Sequence, residues 1–76
     1  MQKERNLKLL EIGEEAVIEN ILLEQDLKKR LYDLGFLKGS KVKCILKSPF
    51  NDPIAYFLKG TTIALRADIA EKIICK

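Results

Sequence analysis

The chain has 76 residues, with 14 Lys and Arg against 11 Asp and Glu, a net charge of +3, two Cys and no His. That length makes one small domain, burying about 60% of its unfolded surface and leaving little material for a deep catalytic pocket. Without histidine, the nucleophile–base pairs of covalent catalysis and the usual transition-metal ligand sets are excluded.

Met1 to Asn6 is polar and reads as a loosely ordered terminus, which leaves 7–76 as a single domain. A polar, charged start predicts no signal peptide. No apolar run approaches the roughly 20 residues that span a bilayer, so a cytoplasmic protein without membrane insertion is expected. Leu7, Leu10 and Ile12 lead to a turn at Gly13. Glu15 to Leu23 reads as a strand, although Ile21-Leu22-Leu23 breaks its alternation.

Gln25 to Leu34 reads as a helix, because Leu27, Leu31 and Leu34 recur at i, i+4 and i+7 and share one face. Asp26 lies in its first turn, where a carboxylate complements the helix dipole. Gly35 marks the stop, and Phe36 is placed to fold back on the last turn. Gly39 makes a second turn. Lys41 to Lys47 alternates as a strand, with Val42, Cys44 and Leu46 on one face and Lys41, Lys43, Ile45 and Lys47 on the other.

Ser48 to Pro53 is a turn by composition. Ile54 to Lys59 and Thr62 to Arg66 read as a hairpin joined at Gly60 and Thr61. Ala67 to Glu71 is helix-prone, with Asp68 suited to a dipole or cap role. Lys72 to Lys76 closes as a short strand. The sum is mainly β: about five short strands, one α-helix after the first strand and a helical turn before the last, favouring a small closed or half-closed barrel. Cys44 and Cys75 fall at alternating apolar positions and read as buried free thiols.

No catalytic constellation is present. Glu14 and Glu15 are adjacent and would point to opposite faces of a strand, which does not suit shared acid–base chemistry. Gly35 and Gly39 lack the pattern of a phosphate-cradling loop. Catalytic, cofactor and metal sites are therefore assigned to no residue. Arg30 has two readings, a surface residue paired with a carboxylate or a fixed partner-binding arginine. Phe36, Leu37, Pro49, Phe50 and Tyr56 are apolar or aromatic residues near turns. Phe36 suits the core, whereas Phe50, between Pro49 and Asn51, suits an exposed partner patch.

Arg30-Leu31-x-x-Leu34-Gly35-Phe36-x-x-Gly39 resembles the signature of the FeoA family, small cytosolic proteins of bacterial ferrous-iron uptake. Three further segments agree: Leu10-x-x-Gly13-x-x-Ala16-x-Ile18, Pro49-x-x-Asp52-Pro53, and Ile63-Ala64-Leu65-Arg66-x-x-x-Ala70-x-x-Ile73. The resemblance runs from Leu7 to Cys75. Cys75 departs from the valine more frequent in the family, and Phe50 is bulkier than usual at its turn.

The resemblance implies an SH3-like small β-barrel and a protein partner, the FeoB membrane transporter with its GTP-binding domain. It implies architectural roles for Leu27, Arg30, Leu31, Leu34, Gly35, Gly39, Leu65 and Arg66. A non-enzymatic accessory protein that docks on the transporter is the first reading. Its candidate docking residues are Pro49, Phe50, Asp52 and Pro53, with Phe36, Leu37 and Tyr56 as an apolar companion patch. A nucleic-acid-binding barrel is the alternative, drawing on Lys41, Lys43 and Lys47, but an aromatic stacking pair on adjacent strands is missing and no nucleic acid is expected. The same domain type serves as an interaction module in DtxR-like metal-dependent repressors. A third reading has an arginine supplied in trans to a GTPase. Arg30 and Arg66 read as locked beside core leucines, so little stimulation is expected.

Overall fold

The computed structural model describes residues 5–76. In chain order it holds β1 (Arg5–Asn6), a 3-10 turn (Leu7–Leu9), β2 (Glu15–Ile21), α1 (Gln25–Leu34) and β3 (Lys41–Lys47). A second 3-10 turn (Pro49–Asn51), β4 (Ile54–Leu58), β5 (Thr61–Leu65), α2 (Ala67–Ala70) and β6 (Ile73–Cys75) follow. The strands form one antiparallel sheet in the order β1-β6-β2-β3-β4-β5. The mainly β expectation holds, with six strands rather than about five. The added strand is β1: Arg5 pairs with Cys75 and Asn6 with Ile74. Of the terminus expected to be loose, Arg5 and Asn6 are paired, and residues 1–4 lie outside the described residues.

The core is built from the inward faces of the strands. Ala16, Ile18 and Ile21 from β2, Val42 and Cys44 from β3, Ile54, Tyr56 and Leu58 from β4, and Ile73 and Cys75 from β6 are all buried. Leu7, Leu10, Leu31, Phe36, Leu65 and Ala70 complete the cluster. Among the described residues no charged side chain is buried. This fits a domain too small to pair buried ions in a dry interior.

Helix α1 matches its expected limits, and its end explains the packing of the next segment. Gly35 has φ +105°, a backbone that only glycine adopts cheaply. Its N–H donates to the Tyr32 carbonyl (3.0 Å), and the Phe36 N–H donates to the Leu31 carbonyl (2.9 Å). These are the two bonds of a Schellman ending, and they bring Leu31 and Phe36 together at the core. A methyl on Gly35 would meet Lys59 Cδ at 3.4 Å and Leu58 Cδ1 at 3.7 Å. Gly35→Ala is therefore expected to lower stability by about 1–2 kcal/mol, chiefly through backbone strain. Urea unfolding measures it, and an unchanged midpoint contradicts it.

Two expectations about side-chain direction fail. Leu34, expected on the core face, is 49% exposed, because the helix ends there and its last turn overhangs the core. Leu46, expected to face inward with Val42 and Cys44, is 59% exposed. The register between β3 and β4 shifts between Cys44 and Leu46, so Cys44 pairs with Tyr56 but Leu46 with Ala55. One extra residue in a strand reverses which face every later side chain takes.

The β4–β5 hairpin turns through Lys59 (φ +50°) and Gly60 (φ +78°), with Leu58 opposite Thr61. Positive φ at both central positions matches the two-residue turn that follows strand twist. The strand therefore starts at Thr61, one residue before the expected position.

Candidate functional site

The loop between β3 and β4 is the most exposed apolar feature among the described residues. Ser48 enters it extended, Pro49 opens the 3-10 turn, and Phe50 adopts φ +63°, ψ +17°. A bulky residue in the left-handed region is uncommon and strained by roughly 1–2 kcal/mol. Phe50 is also 100% exposed, so burial gives nothing back. Pro49, Asp52 and Pro53 are exposed beside it.

The loop is held at two points. The Ser48 N–H donates to the Pro53 carbonyl (3.1 Å) across its base. Asp52 Oδ1 accepts from the Ala67 N–H (3.0 Å), capping the first residue of α2 from outside the helix. The carboxylate expected to cap α2 from within, Asp68, instead pairs with Arg66 at 3.2 Å. Asp52 is thus an anchor of the loop as much as a surface charge.

The companion patch does not assemble. Phe36 and Tyr56 are fully buried, and the Tyr56 hydroxyl donates to the Leu7 carbonyl at 2.8 Å. Burial pushes the Tyr56 phenol well above its ordinary range. Leu37 is 37% exposed but sits just past Gly35, which lies against Leu58 and Lys59. The Pro49–Pro53 loop leads into Ile54, at the other end of β4, four residue steps or about 13 Å away.

The residues expected to be architectural divide in the same way. Leu31 and Leu65 are buried, Leu27 is half-buried, and Gly39 turns the chain at φ +92°. Arg30 and Arg66 are exposed rather than locked beside core leucines, and Arg66 pairs with Asp68 instead.

A second apolar feature was missed from sequence. The outer face of the sheet carries the row Leu46–Ala55–Ala64 and, beside it, Lys43–Phe57–Thr62. Phe57 is 41% exposed. The alternation of Ile54, Tyr56 and Leu58 inward leaves Phe57 outward, which was the available signal.

Elsewhere Glu14 ties the turn before β2 to β1. Its Oε1 accepts from the Glu11 N–H (3.0 Å) and its Oε2 pairs with Arg5. The Glu11 N–H first, and the Arg5 guanidinium second, hold the Glu14 carboxyl below its usual value. A lowered carboxyl pKa gives stability that is present above the unfolded-state value and is lost as pH falls through the folded one. Wild type is expected to exceed Glu14→Gln in thermal stability at neutral pH, with the gap closing in acid; a pH-independent gap contradicts this.

Burial pushes the Cys44 and Cys75 thiols upward, which keeps them protonated and unreactive at neutral pH. Among the described residues no group of three or more His, Cys, Asp or Glu side chains gathers to hold a metal. No helix there is long and apolar enough to cross a membrane.

The geometry defines a small antiparallel β domain of SH3-like type that exposes apolar groups on a clamped loop and an outer sheet face. The chain belongs to the FeoA family: the FeoA domain model matches residues 5–76. The Putative Fe(2+) transport protein A of Campylobacter jejuni is 36% identical over 64 residues, 84% of this chain and 86% of that protein. A Porphyromonas gingivalis Fe(2+) transport protein A/Fe(2+) transporter FeoB fusion protein is 30% identical over 64 residues, 84% of this chain. The chain spans 8% of that fusion protein's length. The crystal structure of Stenotrophomonas maltophilia FeoA complexed with zinc, described as a prokaryotic SH3 domain protein, superimposes with a TM-score of 0.80. It is 31% identical, with 93% of this chain and 88% of that one covered.

Proposed function

We propose that this chain is a cytoplasmic, non-enzymatic accessory module of ferrous-iron uptake that acts by docking on an FeoB-type transporter. The observation that carries this reading is the relative in which an FeoA-like segment and the transporter form one polypeptide. Covalent joining of two modules raises the effective concentration of one at the other, which suits partners that work in contact.

The surface supports docking over catalysis. Phe50 is fully exposed on strained backbone, and its loop is clamped at Ser48–Pro53 and Asp52–Ala67. An aromatic held rigidly in water loses little entropy when a partner covers it.

Titration of the purified cytosolic part of the transporter, in each nucleotide state and in membrane-reconstituted form, tests the reading. Saturable binding that Phe50→Ser weakens by roughly tenfold is expected, a change of about 1.4 kcal/mol. Absence of binding in every state removes direct docking.

A further inference from the structure

The two edges of the sheet differ. The β1 edge is two residues long and carries Arg5. The β5 edge is five residues, Thr-Thr-Ile-Ala-Leu, with no charge, proline or bulge. Exposed strand edges are normally blunted by such features. Among the described residues, no backbone group of Thr61–Leu65 bonds to any strand but β4. Alternate N–H and C=O groups of an edge strand point away from its single partner, so β5 presents a row of unpaired donors and acceptors.

The face beside that edge is shaped and charged for one kind of occupant. Thr62 and Ala64 are small and exposed, and they leave the flank of Phe57 open. A large apolar side chain on an added strand would lie over the small Ala64, whose diagonal neighbour on β4 is Phe57. Leu46 and Ala55 extend this apolar floor across the sheet.

Charge is equally uneven. Between Lys41 and Leu65 there are four cations, Lys41, Lys43, Lys47 and Lys59, and one acid, Asp52. The remainder of the chain is balanced, so this segment carries all of the net charge of +3. Lys59 stands exposed at the hairpin tip, next to Thr61, while Lys41 and Lys43 lie exposed at the same end of β3. Glu15 sits across from Lys43 and offsets part of its charge. Lys47 pairs with Ile54 at the Phe50-loop end, so three of the four cations lie toward the hairpin tip, while the outward residues nearer the loop, Leu46, Ala55 and Ala64, are apolar.

We propose that β5 accepts an extended segment of the transporter's cytosolic part as an added strand, with acidic residues toward Lys59 and an apolar residue over Ala64 and Phe57. This rests on the docking reading above and specifies its mode. Main-chain bonds supply the attachment, and alternate side chains supply the selection.

Hydrogen exchange of the full chain with the purified cytosolic part of the transporter tests it, beside binding by the exposed-site variants Ala64→Lys and Lys59→Glu. Protection of amides in Thr61–Leu65 is expected on binding. Ala64→Lys weakens affinity roughly tenfold or more, Lys59→Glu weakens it and flattens its salt dependence, and Leu22→Ser leaves it unchanged. Binding that persists in Ala64→Lys with β5 unprotected overturns strand addition and leaves docking intact. No binding by folded wild type in any nucleotide state overturns both. Capture of poly(U) RNA on this face, with no binding of the transporter, likewise overturns both and assigns the cations to phosphates.

Discussion

Phe36→Ala is expected to destabilise the domain by about 3–5 kcal/mol. Phe36 is fully buried and is tied to Leu31 by the bond that ends α1. Truncation leaves a cavity in the buried cluster that close-packed neighbours only partly collapse to fill. A chain of 76 residues has roughly 4–11 kcal/mol in total. The variant should therefore unfold at a much lower urea concentration or fail to fold at room temperature. A loss under 1 kcal/mol would show that Phe36 is not seated in the core. Loss of transporter binding in this variant would report unfolding, since the side chain has no exposed surface.

Tyr56→Phe is expected to cost about 1–2 kcal/mol. The lost hydroxyl bridges β4 to the Leu7 carbonyl on the far side of the sequence. The Leu7 carbonyl keeps one donor, the Leu10 N–H at 3.2 Å, so the penalty falls short of that for a fully orphaned acceptor. A pH signature separates this from a packing effect. The folded-state phenol pKa is raised above its ordinary value of 10.0, so its stabilisation is complete below that value and declines as pH rises past it. Denaturant midpoints of wild type are expected to fall toward those of Tyr56→Phe above pH 10. Parallel profiles across that range would contradict the buried, neutral phenol.

The elements legible in the sequence were those with local signals. Helix α1 was bounded by a leucine period and a glycine stop, β3 by its alternation, and α2 by its composition. What escaped depended on distant pairing. Arg5 and Asn6 carry no period of their own and are strand only because Cys75 and Ile74 lie beside them. The direction of Leu46 is set by a bulge against β4, which alternation within β3 cannot disclose.

The candidate site was legible in its loop. Pro49, Phe50, Asp52 and Pro53 are exposed together because proline and positive φ force the chain out of the sheet. Phe36, Leu37 and Tyr56 share hydrophobicity but not place: Phe36 after the glycine stop and Tyr56 within the β4 alternation turn inward, while the chain path after Gly35 puts Leu37 toward the Leu58 end of β4, away from the loop.

The position of β6 between β1 and β2 has a consequence during synthesis. Its residues, Ile73–Cys75, leave the ribosome after the two strands they join. Until then β1 has no strand partner and β2 lacks one of its two neighbours, and the Tyr56 hydroxyl is left as the side-chain bond that holds the 3-10 turn at Leu7. Pairing Arg5 with Cys75 closes nearly the longest loop the chain allows, an entropic step characteristic of slower-folding β topologies. A nascent chain halted before Ile73 should therefore be open to proteases along its length, and one extended past Lys76 should become resistant in a single step.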